Sequence, residues 1–230
     1  MAENTTAVSC DELVKEFSKG ALVWYNFKSD CNILYLYNDK EDAAVKELLQ
    51  QKGTVTLCSC IKLAEAKLEK NRYDYIVGID IIEECQKPVE LLKACHKMLK
   101  SSGRIVLGTE NRYAIKYICG DRDPYTNHNF DGIENYRRMT AADRKDIGGR
   151  CYSMAELKAM LEEAGFHNDK FYSVMPSLEE AQLVYAQEYT PVEELAMRYF
   201  PLYNYPDSVF LEEQYLYTDL IKNGMFHKMD

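Results

Sequence analysis

The chain has 230 residues, 47% of them hydrophobic, and a formal net charge of -9. A chain of this size and composition can bury the core of one α/β domain over residues 1–230. Because its basic residues are interleaved with acids, the charge excludes a nucleic-acid backbone as the expected partner and favours a small molecule or a protein.

The expected location and metal content follow from the same counts. No apolar run approaches the roughly 20 residues that span a bilayer, and the N-terminal residues lack the basic and apolar regions of a signal peptide. We therefore expect a cytoplasmic protein with no membrane span. The eight cysteines fit small buried side chains in a reducing compartment better than a disulfide framework. No CxxC pair occurs and the four histidines are scattered, so we expect no metal site.

Strands and helices alternate through the first part of the chain. Short runs of β-branched and aromatic residues predict strands, and apolar residues at helical spacing predict helices. Gly53 is expected to end one of these helices. The predicted elements are a helix over 11–18, a strand over 32–37, a helix over 41–51, a strand over 54–58 and a helix over 63–68.

The next stretch predicts a complete strand, helix and strand. Residues 73–80 form a strand of the kind that is buried on both faces. Pro88 suits the first turn of the helix that follows, and Gly103 is expected to end it. A second buried strand is predicted over 104–110. Because a crossover of this length gives a right-handed parallel unit, we expect a Rossmann-like, doubly wound and mostly parallel α/β sheet.

The carboxyl ends of the two strands are the expected ligand side of the sheet. Glu110 and Asn111 follow the second strand, and they either face a ligand or stabilise the turn there. The pair Glu83 and Glu84 follows the first strand. These two acids either contact a ligand amine or belong to a solvated helix start.

Between 111 and 150 the alternation gives way to a polar, aromatic insertion. Because long insertions in compact domains are usually functional, we expect a substrate-side cover. His128 is its candidate general base for a substrate hydroxyl, with a surface histidine as the alternative. Its tyrosines either form a stacking wall for a ring or pack the insertion onto the sheet. They are Tyr113, Tyr117, Tyr125 and Tyr136.

The last part of the chain begins with a strong helix signal. Ser153 and Glu156 have the spacing of a capping box, and the helix that they open is expected to stop at Gly165. Residues 166–174 are expected to return to the sheet. Residues 176–230 are expected to form a C-terminal subdomain or cover, with helices over 193–199 and 212–223.

Several stretches together carry a family likeness. The strand 74–77, the acids Glu83 and Glu84, Pro88, the stretch 99–103 and Glu110-Asn111-Arg112 resemble the second half of class I S-adenosylmethionine-dependent methyltransferases. The stretches 110–117 and 130–136 are similar to the insertion of bacterial methyltransferases found beside, or fused to, surface-polysaccharide glycosyltransferases. The likeness covers roughly residues 20–230.

This resemblance implies S-adenosylmethionine as the cofactor, a saccharide-type or other small-molecule acceptor and a glycosyltransferase partner. It places Glu110, Asn111 and His128 nearest to the chemistry. The cofactor-binding positions that it implies are Tyr37, Asn38, Asp39, Ser59, Asp80 and Ile81.

One turn departs from the family pattern. Residues 37–42 contain no glycine, whereas the family has a glycine-rich loop there that lets the backbone approach the cofactor. Cys60 stands close to the place of an acid that holds the ribose hydroxyls. If the turn has closed, we expect Asn38 or Asp39 to cap the following helix and side chains to leave little or no cavity.

Two functions stay open at this point. The first is methyl transfer from S-adenosylmethionine to a saccharide-type acceptor. The second is a degenerate methyltransferase-fold domain that does not bind S-adenosylmethionine and acts as a scaffold or partner-binding module in glycan assembly.

Overall fold

The structure is a computed structural model that describes residues 20–63, 69–140, 147–175, 177–178, 181–191, 211 and 213–229. The helices predicted over 11–18 and 193–199, and all but the first residue of the one over 63–68, lie outside the described residues. The strands are β1 Cys31–Tyr37, β2 Gly53–Ser59, β3 Tyr73–Ile79, β4 Leu99–Gly108, β5 Tyr172–Met175 and β6 Leu183–Ala186. The helices are α1 Gly20–Val23, α2 Ala43–Gln50, α3 Pro88–Met98, α4 Ile115–Ile118, α5 Met154–Glu163, α6 Glu213–Lys222 and α7 Phe226–Met229, and a 3₁₀ turn, Cys60–Lys62, follows β2.

The centre of the molecule is a four-stranded parallel sheet in the order β2-β1-β3-β4. The chain adds β2 to one edge of β1 and then returns to add β3 to the other edge. In α/β sheets, ligands bind at such a reversal of strand order, just beyond the carboxyl ends of the strands. The fold prediction is confirmed, and the reversal lies between β1 and β3.

Helices cover both faces of this sheet because successive side chains of a strand point to opposite faces. Ile33 and Tyr35 of β1 lie in a core with α1 and α2, whereas Leu34 and Leu36 lie in a core with α3 and α5. The sheet is therefore doubly wound, as predicted. The first core also contains Leu22, Phe27, Val45, Leu49, Tyr75 and Val77, and the second contains Ile76, Leu92, Cys95, Leu157 and Leu161.

The junction of α3 and β4 differs from the prediction. Pro88 occupies the first turn of α3 as expected, but the helix ends at Met98 and β4 begins at once with Leu99. Gly103 therefore lies inside a strand and does not end the helix. The pairing of β3 with β4 shifts register between Tyr73 and Tyr75, and this irregularity takes up the extra residues of β4.

The outer side of β4 also differs from the prediction. Within the described residues β4 pairs only with β3, and none of its residues after Leu99 is buried. It is therefore not a strand buried on both faces. Residues 166–174 do not return to this sheet either, because β5 pairs with β6 in a separate antiparallel ladder.

The helix α5 confirms the capping box. Ser153 accepts a hydrogen bond from the N–H of Glu156, whose side chain accepts one from the N–H of Ser153. Gly165 follows the helix with φ +94°, a left-handed conformation that favours glycine.

The insertion and the C-terminal helices share a third core. Ile115 and Cys119, in and just after α4, pack with Tyr217 of α6 and Phe226 of α7. The helix α6 confirms, in its described part, the one predicted over 212–223. The limits 111–150 for the insertion and 176–230 for the C-terminal cover stay predictions.

Candidate functional site

The switch-point edge, by which we mean the carboxyl ends of β1, β2 and β3 with the turn 38–42, is closed by hydrogen bonds within the chain. The side-chain Nδ2 of Asn38 crosses from β1 to β3 and donates to the carbonyl oxygen of Asp80 at 2.9 Å. The hydroxyl of Ser59 donates to the carbonyl oxygen of Asn38 at 2.9 Å. The structure thus brings together three of the six predicted cofactor positions and bonds them to one another.

The turn after β1 is held by Asp42. Its carboxylate accepts from two backbone N–H groups in the first turn of α2, so the prediction that Asn38 or Asp39 caps this helix is wrong. The reason is the length of the turn, since α2 begins only at residue 43. The N–H of Asp42 donates to the hydroxyl of Tyr35 at 3.2 Å, and burial raises the pKa of Tyr35 to about 12.

The other predicted cofactor positions differ in their exposure. Tyr37 is half-buried and Asp39 is exposed. Ile81 is fully buried, and its Cδ1 would lie 2.3 Å from a Cβ added at Gly78. Burial raises the pKa of the Cys60 thiol to about 12, so this side chain stays neutral and does not replace the charge of a carboxylate.

The insertion edge, by which we mean the carboxyl ends of β3 and β4 with residues 110–156, is built around Glu110. Its Oε2 accepts from the Nζ of Lys116 at 2.7 Å and from the hydroxyl of Tyr117 at 3.0 Å. Burial lowers the pKa of Lys116, but the charge and hydrogen bond of Glu110 and the charge of Asp121 together raise it by more. Lys116 therefore stays charged and holds Glu110 at the end of β4.

Glu83 is the most unusual group at this edge. It is 2% exposed, and its Oε1 accepts from the N–H of Glu110 at 2.9 Å. Its Oε2 has no hydrogen-bond partner among the described residues. Burial, with the nearby charge of Asp80, raises the pKa of Glu83 to about 8. The carboxyl group is therefore mostly protonated at neutral pH, and the solvated interpretation holds only for Glu84, which is exposed.

The insertion covers Glu83 closely. The N–H of Arg150 donates to the carbonyl oxygen of Glu83 at 3.0 Å. A Cβ added at Gly149 would lie 2.9 Å from that oxygen and 2.5 Å from the ring of Tyr125. Only glycine therefore fits between Glu83 and Tyr125.

Two arginines anchor the insertion to α5. Arg112 is 8% exposed, and its Nε donates to Oε2 of Glu156 at 2.8 Å, while its Nη1 donates to two carbonyl groups of the insertion. The Nη2 of Arg150 donates to Oε1 of the same carboxylate at 3.1 Å. Burial raises the pKa of Glu156, but hydrogen bonds from Ser153 and Arg112 lower it by more. The acid of the capping box thus also joins helix and insertion.

The other two predicted catalytic residues, His128 and Asn111, make contacts of their own. The side chain of His128 is 77% exposed, and its Nδ1 lies 3.4 Å from Oδ2 of Asp131. Asn111 accepts from the N–H of Tyr113 through Oδ1 and donates to the carbonyl oxygen of Lys228 through Nδ2. These contacts fit the structural alternatives, in which His128 is a surface histidine and Asn111 stabilises a turn.

The buried tyrosines of the insertion hold it together. The hydroxyl of Tyr136 donates to Asp123 at 2.8 Å and accepts from the N–H of Cys151 at 2.8 Å. Tyr117 is 4% exposed and bonded to Glu110. Tyr136 therefore holds the insertion together and Tyr117 ties it to the end of β4, so these two buried tyrosines do not form a wall for a ligand ring.

A cavity of about 730 Å³ lies between the outer side of β4 and the ladder of β5 and β6. Glu110, Asn111 and Lys116 line it where β4 ends. Trp24 and Tyr172 line it as well. This volume is within the range of small-molecule sites. None of the six predicted cofactor positions lines the cavity.

The sequence predicted neither a metal site nor a membrane span. Within these ranges no group of three or more His, Cys, Asp or Glu side chains could hold a metal ion. None of the described helices has the length and apolar character that a membrane crossing requires.

The fold is similar to that of a solved methyltransferase structure. The chain resembles a SAM-dependent methyltransferase from Archaeoglobus fulgidus with a TM-score of 0.50 and 16% identity, over 94% of this chain and 88% of that one. The chain has the class I methyltransferase fold. No protein-family model and no curated protein matches the chain.

Two further methyltransferase structures are similar at a lower score. A possible histamine N-methyltransferase from Thermotoga maritima gives a TM-score of 0.47 and 14% identity, over 76% of this chain and 85% of that one. A putative methyltransferase from Bacillus halodurans gives a TM-score of 0.45 and 15% identity, over 91% of this chain and 82% of that one.

Two groups at the switch-point edge of this methyltransferase fold are bonded within the chain, which counts against S-adenosylmethionine at this place. A cofactor with an ammonium group and ribose hydroxyls needs free acceptors and close backbone approach. Here the carbonyl oxygen of Asp80 already accepts from Asn38, and the hydroxyl of Ser59 is bonded to the turn itself. The turn 37–42 also lacks the glycine that would bring the backbone close.

Sequence reasoning missed three residues that the structure brings to the site. Lys116 bonds Glu110, and Trp24 and Tyr172 line the cavity. The signal for Trp24 was available, because it is the single tryptophan of the chain. No local pattern placed Tyr172 beside it, since that contact depends on the position of a separate ladder.

Proposed function

We propose that this protein is a methyltransferase-fold domain that does not use S-adenosylmethionine and acts as a scaffold or partner-binding module in glycan assembly. The cavity beside β4 would bind a saccharide-type or other small-molecule ligand. A glycosyltransferase is the expected protein partner, as the sequence resemblance implies, and the cytoplasm is the expected location.

One observation carries this proposal. The amide of Asn38 spans the reversal between β1 and β3 and donates to Asp80 at 2.9 Å. A ligand that needs close backbone contact at this place would have to displace that bond, and it would find no glycine in the turn to let it approach. Because function depends on the site and not on the fold, the methyltransferase fold alone does not outweigh this closure.

Calorimetry with S-adenosylmethionine and S-adenosylhomocysteine tests the proposal. We expect no heat of binding or a dissociation constant of roughly millimolar or weaker, which corresponds to about 4 kcal/mol of binding free energy. A dissociation constant in the micromolar range would overturn the proposal.

A set of variants tests whether the turn is the cause. Replacing Asn38 and Lys40 by glycine frees the backbone but restores no acid, so the gain in cofactor affinity should be about fivefold or less, as expected for a single contact. Adding Cys60→Asp should raise the affinity further. Tight binding by the unmodified chain would show that this account of the turn is wrong.

The second candidate is an active methyltransferase that acts on a saccharide-type acceptor through Glu110, Asn111 and His128. The observation that favours it is Glu83, a buried carboxyl group with a pKa near 8 at the ligand end of the sheet. Perturbed carboxyl groups are common at catalytic sites but also occur in structural networks. The same calorimetry separates the two candidates.

A further inference from the structure

The cavity beside β4 has one wall made of backbone hydrogen-bonding groups. Residues 101–108 of β4 line it, and in the described part of the chain this strand pairs only with β3. The outer edge of a strand presents N–H donors and C=O acceptors in alternation. A ligand on this wall must therefore both donate and accept hydrogen bonds along its length.

Aromatic rings form another part of the lining. The ring centroids of Trp24 and Tyr172 are 4.9 Å apart with an angle of 53° between their planes, and Tyr25 lies 5.8 Å from Trp24. Tyr172 remains 39% exposed. Aromatic faces of this kind bind flat apolar surfaces.

The end of the cavity beside the insertion carries a charge pair. Lys116 and Glu110 line it and bond each other at 2.7 Å. Within this pair the two charges compensate each other. A hydroxyl group suits it, since it can accept from the ammonium group and donate to the carboxylate.

We propose that this cavity is a saccharide site in which Trp24 and Tyr172 contact the face of a pyranose ring while the edge of β4 binds its hydroxyls. A pyranose combines what the walls require, because its C–H face is apolar and each of its hydroxyls is both a donor and an acceptor. This assignment rests on the proposed function and names the ligand class of the same cavity. In this proposal Trp24 and Tyr172, and not the tyrosines of the insertion, form the stacking wall.

Trp24 supplies the readout, because its emission reports only on this place in a chain with one tryptophan. The full chain is titrated with cellotriose, chitotriose and maltotriose while the emission of Trp24 is followed. We expect a saturable shift with at least one of them. Tyr172→Ala should weaken that binding by about tenfold, and Tyr172→Phe, which keeps the ring, by much less.

Tyr215→Ala is the matched control, since Tyr215 is 70% exposed and does not line the cavity. It should leave the titration unchanged, and circular dichroism should show all variants folded. The assignment is wrong if no trisaccharide shifts the emission of Trp24, or if Tyr172→Ala binds the trisaccharide as tightly as the unmodified chain does. None of these results depends on the calorimetry with S-adenosylmethionine, so each proposal can fail by itself.

Discussion

The switch-point edge and the insertion edge lie at the same end of one sheet but hold their polar groups differently. At the switch-point edge, Asn38 and Ser59 form neutral hydrogen bonds at half-buried positions. At the insertion edge, Arg112 and Glu83 are buried, and Arg112 belongs to a network of charged groups. Buried charges are costly when a partner is lost, whereas half-buried neutral bonds contribute little each.

This contrast separates two kinds of constraint. The turn 38–42 can change its residues at small cost, and here it has the sequence of an ordinary strand-to-helix connection. The insertion is tied to α5 and to the sheet by buried polar and charged side chains. Replacing one of them alone leaves its partner without that bond. We therefore expect mutations to affect the two edges unequally.

The largest effect is expected for Arg112→Ala. It removes the charged partner of Oε2 of Glu156, which keeps only its bonds from Ser153, and leaves two carbonyl groups without the donor Nη1, so the free energy of unfolding should fall by about 3 kcal/mol. Urea unfolding measures this. The control Arg138→Ala removes an exposed pair with Glu134 and should change stability by less than about 0.5 kcal/mol. Equal losses of stability in Arg112→Ala and Arg138→Ala would contradict the expected difference between buried and exposed ion pairs.

Glu83→Gln should change how stability depends on pH. The pKa of Glu83 is about 8 in the folded protein and near 4.5 when unfolded, so the folded state holds one proton more between these values. Through this group, stability should fall with rising pH by up to roughly 1.4 kcal/mol per unit across this window. The glutamine variant should lack this contribution in urea unfolding between pH 5 and pH 8. If the stability of the Glu83→Gln variant and of the unmodified chain changed in parallel with pH, the burial of Glu83 would be contradicted. The control is Glu162→Gln, which changes an exposed acid.

The smallest effect concerns the cap of α2. Asp42→Ala removes the acceptor for two backbone N–H groups and should cost about 1 kcal/mol. Asp39→Ala alters an exposed side chain of the same turn and should cost less than about 0.5 kcal/mol. Thermal unfolding of the pair decides which aspartate holds the helix, and a larger loss for Asp39→Ala would restore the original prediction.

The parts of the fold that sequence patterns predicted are those set by local chemistry. The β-branched runs of β1, β2 and β3, Pro88 and the capping box at Ser153 each have a short-range physical cause. The start of β4 at Leu99 has none, because it depends on a register shift against β3. The separate ladder of β5 and β6 likewise follows from long-range pairing.

The candidate site was predictable only in part for the same reason. Position at a strand end predicted that Glu110 lies beyond β4, and in the structure this residue lines the cavity there. It could not show that Glu83 is buried while Glu84 is exposed, because the insertion that covers Glu83 is distant in sequence. Nor could it reveal that Asn38 bonds Asp80, 42 residues away.

The strand order also sets a sequence of events during synthesis. β1 pairs on one side with β2, which follows it closely, and on the other with β3, where Asn32 donates to a carboxylate 42 residues later. During synthesis, the unit of β1, α2 and β2 is complete before β3 has been made. Until then one side of β1, the most buried strand of the unit, stays unpaired. Parallel pairings between distant segments form slowly, and unpaired strands associate with other chains. A nascent chain that stalls before Tyr73 therefore exposes a strand edge that can pair with other chains. A chaperone would matter most between the synthesis of β2 and that of β3.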